Sequence, residues 1–493
     1  MKRRVVVAGW GQVTQAKAQT DRLLDPLGLM AEASRVAARQ GLKNVDGVLV
    51  VKPMSRSYPS AAEQLAQELG ASPRYTSVSR IGGNSPQALV NRAAGMIARG
   101  ELDSILIAGA EVYYRRGGEP ARGDTPLFQG LADEREADDR VGATGVEARH
   151  GVSLPIHGFP LFETALWAES GLDREAYLRR VGNLWAEFSR VAAAHPNAWT
   201  RAPLTADEIV FPSAQNRMIA FPYTKFMNPL VTADLGAALL LASEPQAARW
   251  RVGARGPVYF LAGGAAVERQ RFLIERSSFT RSTALRAAAH KALRRCRLAI
   301  EDLECFDLYS CFPCSVAIGR KMLGLADADP RPLTLTGGLG FFGGPGNNYS
   351  LHAIATLCEA IGRGERTNGM VTALGWFLHK HAAGVYGADP RDADLSAHDR
   401  EDDAEPPTGE GPVPWVEEAR GRGTIETYTV VHARDGAPDY AVVYGRLAHG
   451  ERFVARTPPD PDVFTELAGR NQVGRSVRVR PDPATGRNVA ELL

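Results

Sequence analysis

A layered α/β core followed by a separate β-barrel is the architecture the sequence predicts, and three observations predict it. Strand and helix patterns alternate through the first hundred residues, which calls for a mixed or mostly parallel sheet packed between helices. A glycine-rich turn, a helix, an Arg-Gly-Glu stop and a buried strand occur in that order at residues 82–108 and again at 337–374. After an acidic, proline-containing stretch, short alternating strands succeed one another between turn signals.

The first strand is Val5 to Ala8, followed by the helix Leu27 to Gln40, the strand Val45 to Val51 and the helix Ala61 to Leu69. The turn Ser79 to Pro86 leads into the helix Gln87 to Arg99, with Ser85 suited to the N-cap and Pro86 to the first helical position. Gly100 ends that helix, and Asp103 to Ala108 is a buried strand. Residues 112–214, rich in Arg, Glu and Pro, interrupt the alternation as an insertion over one face, and the core resumes at Val231 to Ser243. The helix and strand of Ala284 to Leu308 echo Ala31 to Val51, so two related halves are expected, residues 1–270 and 271–388. Residues 389–414 read as a strap too poor in apolar groups to be core. Residues 415–493 read as a small β-barrel folding as its own unit, with Ile425, Thr427, Thr429 and Val431 on one face of its first strand and their neighbours on the other.

Composition narrows the function classes. A chain of 493 residues is too long for one ordinary core. Lys and Arg total 58 against 56 Asp and Glu, which gives no electrostatic ground for a nucleic-acid or membrane partner. No run of roughly 18 apolar residues offers a bilayer span. The basic start Met1 to Arg4 precedes an apolar run too short for a signal core, and five cysteines make no disulfide framework, so a cytoplasmic protein is expected. Gly9-Trp10-Gly11 lacks the third glycine and the acidic partner of a dinucleotide site. Cys311 and Cys314 have the spacing of a metal or redox pair, but Cys296, Cys305, Cys358, His379 and His381 do not complete a ligand set, so no metal and no cofactor is expected.

Several segments together resemble a known family. Gly337-Gly338-Leu339-Gly340-Phe341-Phe342-Gly343-Gly344-Pro345 is similar to the thiolase segment Gly-Gly, four residues, Gly-His-Pro. Asp307 to Phe312 resembles the His-Asp-Cys-Phe loop of sterol-carrier-protein-2-type thiolases. Asn216 to Tyr223, running on to Ala233 to Ala238, resembles the segment returning from the thiolase loop domain. Gln87-Ala88 stands where thiolases end their nucleophile turn, Cys-x-Ser-Gly-x-Gln-Ala, and Ala108-Gly109-Ala110-Glu111 closes the next strand as in the family. The resemblance spans about residues 1–390. It implies the thiolase fold: two related α/β halves in a layered αβαβα core, with a loop-domain insertion and here a C-terminal OB-like β-barrel. It narrows to thiolase-like protein type 1, a sterol-carrier-protein-2-thiolase-like subgroup that has lost the catalytic cysteines and carries the extra domain, which implies a monomer or weak dimer.

The departures from the family decide the expected chemistry. The nucleophile position falls on Gly82, the Gly-His-Pro histidine on Gly344, and no cysteine occupies Thr372 to Gly375. Glycine carries neither an acyl group nor a proton, so ordinary thiolysis is excluded there. The resemblance leaves Tyr309 and Cys311 as candidate catalytic groups, with His379 and His381 beyond the last core strand, although both histidines are equally read as capping residues. Asn84, Asn347 and Asn348 supply amide donors beside Gly82 and Gly344 for a coenzyme A or acyl-CoA ligand. The expected function is an acyl-CoA-binding member of the acyltransferase superfamily of lipid metabolism, making or cleaving a carbon–carbon bond, in retro-aldol fashion or otherwise, without a nucleophilic cysteine. The alternative is a non-catalytic CoA-ester binder or scaffold.

Overall fold

Strands from both halves of the chain join in one large sheet. The computed structural model describes residues 3–19, 21–38, 41–114, 142–250, 257–397 and 405–493, with 405–408 as backbone only. The sheet contains β1 (Val5–Thr14), β2 (Gly47–Val50), β3 (Tyr75–Val78), β4 (Ser104–Val112), β7 (Asp234–Ser243), β8 (Val258–Glu268), β9 (Phe306–Asp307), β10 (Asn368–Gly375) and β11 (Lys380–Gly387), while β5 (Met218–Ala220) and β6 (Tyr223–Thr224) belong to a second sheet. The large sheet runs β3-β2-β4-β7-β1-β8-β11-β10-β9. It is mixed: β2 and β4 are parallel, as are β10 and β9, but the pairs in the middle are antiparallel.

The internal repeat is structural. In the first half β2, β4, β7 and β1 pair in the order parallel, antiparallel, antiparallel, and in the second half β9, β10, β11 and β8 do the same. The matching unit therefore begins with β8, and the boundary expected at residue 270 moves upstream of Val258. Helices complete the layers: α1 (Pro26–Ala37), α2 (Ala61–Glu68), α3 (Ser85–Arg99), then α4 (Gly145–Arg149), α5 (Pro155–Ser170), α6 (Arg174–Ala194) and α7 (Ala206–Val210) in the insertion, then α8 (Glu244–Arg249), α9 (Thr283–Cys296), α10 (Pro313–Leu323), α11 (Gly338–Phe341) and α12 (Tyr349–Gly362). α3 and α12 touch each other and strands of both halves, while α1 covers β1 and β7 and α9 covers β8 and β11. Strands covered on both faces are apolar along their middles, as the wholly buried β4, β7 and β11 show, with Glu111, Asp234, Lys380 and His381 near their ends.

β11 is a core strand beyond the one expected to be the last, so His381 lies inside the sheet and not past it. Two other elements differ from the sequence pattern for identifiable reasons. β1 does not stop at Ala8 but continues through Gly9-Trp10-Gly11 to Thr14. A Cβ at Gly9 or Gly11 would collide with the carbonyl oxygens of Ala37 and Ala33, so these glycines let the α1 backbone lie directly on the strand. In the C-terminal unit, β13 (Gly421–His432) buries both faces from Thr427 to Val431 instead of alternating. Helix α5 covers its outer face, where Thr164 Oγ1 and Thr427 Oγ1 lie 2.7 Å apart.

The strap and barrel are tied into the core. β12 (Glu405–Thr408) adds a parallel strand to β8, and residues 398–404 lie outside the described residues, as do 115–141 of the insertion. β13 with β14 (Pro438–Leu447), β15 (Arg452–Arg456), β16 (Ser476–Asp482) and β17 (Arg487–Leu492) closes a barrel, capped by α13 (Pro461–Gly469) and extended on β13 by β5 and β6. Phe221 N–H donates to Val430 O at 2.8 Å across that junction. Arg452, 1% exposed, donates to Glu426 Oε2 at 2.7 Å within the barrel, and to Ile274 O at 3.1 Å and Arg276 O in the core. Glu147, its pKa raised by burial, accepts from Tyr444 of the barrel at 3.0 Å and from Ile274 N–H at 2.8 Å.

Removing one partner of a buried ionic and hydrogen-bonded group typically costs 3–5 kcal/mol. Arg452→Met is therefore expected to lower the unfolding free energy by about 3 kcal/mol or more. Denaturant unfolding of the intact chain should show barrel and core melting together. Two well-separated transitions would contradict the coupling.

Candidate functional site

The start of α3 gathers most of the residues singled out in the sequence. Asn84, not Ser85, is the N-cap residue; Ser85 is the first helical residue and its hydroxyl turns back to Arg80 O at 2.8 Å. The preceding turn needs glycine twice. Gly82 has φ +152°, and a Cβ there would collide with Asn84 Oδ1 and stand 3.5 Å from Lys380 Nζ. A Cβ at Gly83 would collide with the Tyr309 hydroxyl and stand 2.5 Å from Leu374 O. The spaces that side chains at Gly82 and Gly83 would use are thus filled by polar groups, the turn's own Asn84 and Tyr309 from another element.

The second glycine turn braces the first. Asn347 Oδ1 accepts the Gly82 N–H at 2.9 Å, its Nδ2 donates to Lys52 O at 3.0 Å, and Ser350 Oγ donates to Gly83 O at 3.0 Å. Asn348 Nδ2 donates to Gly109 O at 2.7 Å, so it holds the end of β4 and not the α3 turn. Gly344 donates its N–H to Leu230 O at 2.9 Å, and a Cβ there would first meet Pro229 and Leu230 in ordinary contact, away from Gly82. Glu111 accepts from Met54 and Ser55 N–H at 2.7 Å each and lies against Gly346; burial pushes its pKa up to about 7.

Tyr309 is held by a 2.9 Å bond from its N–H to Thr372 Oγ1, and its ring stands edge-on to Tyr349 at 5.6 Å. Tyr349 in turn donates to Asp307 Oδ1 at 2.9 Å, so it anchors the tyrosine loop as well as packing the core. Burial raises the Tyr309 pKa far above that of a free phenol, with the neighbouring Cys311 adding to the effect. Burial likewise pushes the Cys311 thiol up to about 12 despite its 3.1 Å contact with Ser315 Oγ. Both groups are neutral near pH 7 and able to donate.

The two candidate histidines do not join this cluster. His381 Nε2 lies 3.0 Å from Ser282 Oγ, which donates to Glu268 Oε1 at 2.7 Å, and burial lowers its pKa to about 4. His379 packs edge-on to Phe377 at 6.2 Å. Successive strand residues point to opposite faces, so the residue of β11 that reaches the turn is Lys380, with Nζ 3.1 Å from Ile81 O. In the sequence Lys380 stands in a short polar cluster between His379 and His381, and it is the first residue of β11. Among the described residues no group of His, Cys, Asp and Glu could hold a metal ion, and no helix is long and apolar enough to cross a membrane. A cleft of about 1050 Å³ lined by Trp10, His195, Thr356 and Arg363 lies elsewhere, along β1 and α12.

Residues 408–484 match the family model of the thiolase-like protein type 1 additional C-terminal domain. Along its whole length the chain is 32% identical to a monomeric SCP2-thiolase-like protein type 1 from Mycobacterium smegmatis, with 99% of each chain covered and a TM-score of 0.81. The chain belongs to the thiolase-like proteins of type 1. A 3-ketoacyl-CoA thiolase from Erwinia tasmaniensis is 26% identical over 317 residues, 62% of this chain and 77% of that one. The Ltp2-ChsH2(DUF35) aldolase shares the fold at 19% identity, covering 78% of this chain and 98% of that one with a TM-score of 0.62. In this type 1 thiolase-like protein Asn84, Tyr309, Asn347 and Lys380 gather in a polar knot at the Gly82–Gly83 turn.

Gly83 and Gly344 should respond differently to an added side chain. Overpacking costs about 1–3 kcal/mol, so Gly83→Ala should destabilise by about 2 kcal/mol, whereas Gly344→Ala, with its nearest contact at 3.4 Å, should cost less than about 1 kcal/mol in the same denaturation assay. Glu111 makes a pH prediction. Its native carboxyl keeps its proton up to about pH 7, while the unfolded chain releases it near the model-compound value of 4.5. Its contribution is complete below pH 4.5 and is lost as pH rises through about 7, so the stability of wild type relative to Glu111→Gln should fall across that window in urea titrations.

Proposed function

We propose that this protein binds a CoA thioester with its acyl end at the start of α3 and acts on it without a covalent acyl-enzyme. The observation that carries this reading is the convergence of Asn84, Tyr309 and Lys380, from three separate elements, on the Gly82–Gly83 turn at a helix N-terminus. The thiolase relative supports an acyl-CoA as the ligand. Among the described residues no thiol or imidazole stands at the turn to accept an acyl group, and Cys311 is a buried neutral thiol. The reaction best suited to such a donor-lined site is making or breaking a carbon–carbon bond in the acyl chain, with Tyr309 donating to the oxygen on which charge develops. The neighbouring aldolase fold is consistent with that chemistry. The protein works in the cytoplasm as a monomer or weak dimer, and its barrel, of OB type, serves as a stabilising cap.

A non-catalytic CoA-ester binder or scaffold is the second reading. It is favoured by one observation, that Asn84 Oδ1 and the Tyr309 hydroxyl already fill the side-chain spaces at Gly82 and Gly83.

A thermal-shift panel of CoA and acyl-CoAs tests both readings. A ligand at 100 times its dissociation constant should stabilise the protein by about 2.7 kcal/mol. No response to any CoA compound would remove both. Intact mass spectrometry after incubation with acetoacetyl-CoA should show no acyl adduct; an adduct on any residue would refute the non-covalent route. If the protein turns over an acyl-CoA, Tyr309→Phe should lower the rate by about 10²–10³ while leaving ligand affinity within a few-fold.

A further inference from the structure

We propose that Lys380 is the group that recognises the thioester itself, its ammonium binding the acyl carbonyl oxygen while Asn84 Oδ1 accepts the amide N–H of the adjoining cysteamine arm. The inference rests on the acyl-CoA reading above and goes beyond it by naming the two polar contacts that would read the thioester.

Lys380 is 6% exposed, in the first position of a strand whose other residues are buried as well. A cation at such a site requires oxygen ligands, and Ile81 O at 3.1 Å is one. Two glycines make room for it. The Cβ position of Gly375 lies 3.1 Å from Lys380 Cε, and that of Gly82 lies 3.5 Å from Nζ, so a side chain at Gly375 would crowd the stem and one at Gly82 would meet the ammonium. Asn84 Oδ1 converges on both of these positions and is a buried acceptor with no hydrogen-bond partner among the described residues. A donor and an unsatisfied acceptor thus face one small volume. A CoA thioester presents the complementary pair: a carbonyl oxygen that accepts and, a few bonds along the cysteamine arm, an amide N–H that donates. A free carboxylate or an aliphatic ligand supplies only one of these or neither, and leaves Asn84 unsatisfied.

The test separates this inference from the reading beneath it. Affinities of acetyl-CoA and of S-ethyl-CoA, a thioether lacking only the carbonyl oxygen, are measured by calorimetry on the intact protein and on Lys380→Met. Wild type should bind acetyl-CoA about 10-fold more tightly or better, as expected of a hydrogen bond to a charged group. Lys380→Met should bind both compounds alike, with S-ethyl-CoA affinity within a few-fold of wild type. Equal binding by wild type, or discrimination retained in Lys380→Met, overturns the role of Lys380 while leaving CoA binding intact. Failure of both compounds and of CoA to bind wild type removes the acyl-CoA reading together with the inference. A measurement on wild type alone covers the case of a variant that does not fold. The carbonyl stretch of bound [1-¹³C]acetyl-CoA should move to lower wavenumber, and an unshifted stretch in the complex rejects the contact.

Discussion

Two buried guanidinium groups set the geometry on which the rest of the site depends. Arg276 donates to the carbonyls of Phe377 and Leu378 at 3.2 Å each, and to Arg281 O at 2.9 Å and Ser278 O at 3.2 Å. The turn it holds is otherwise unfavourable, because Trp376 and Leu378 have φ of +55° and +60° without being glycine. That turn decides where β11 begins and which of its side chains faces α3. Arg452 from the barrel then holds the carbonyl of Arg276 itself and that of Ile274. Planar groups with five donors can tie several loops at once, which a lysine in either place could not do. The C-terminal barrel is therefore part of the same hydrogen-bonded assembly that places Lys380 against Ile81.

Much of this architecture was legible in the chain because its signals are local. The paired glycine turns, the helices they start and the strands that follow them announce the two halves. What escaped the sequence is non-local. The burial of both faces of β13 comes from α5, some 260 residues earlier in the chain, through contacts such as Thr164 with Thr427. The extension of β1 through Gly9 and Gly11 makes sense only once the α1 backbone is seen lying on it. His379 and His381 are the kind of residue that draws attention, whereas strand parity, fixed by a turn with two non-glycine residues in the left-handed region, brings Lys380 to the turn instead. Parity by one residue reverses such an assignment.

The groups gathered at the turn are poor nucleophiles. Nucleophilic acyl transfer needs a group that loses a proton easily, and burial here works against that: the Cys311 thiol is pushed up to about 12 and the Tyr309 phenol higher still. Low dielectric that disfavours a thiolate or phenolate also strengthens the hydrogen bonds the neutral groups and the ammonium can donate. A site composed of Tyr309 O–H, Lys380 and the α3 N-terminus is consequently poor in nucleophiles and rich in hydrogen-bond donors. Gly82, Gly83 and Gly375 are the residues whose lack of a side chain lets Asn84, Tyr309 and Lys380 converge there.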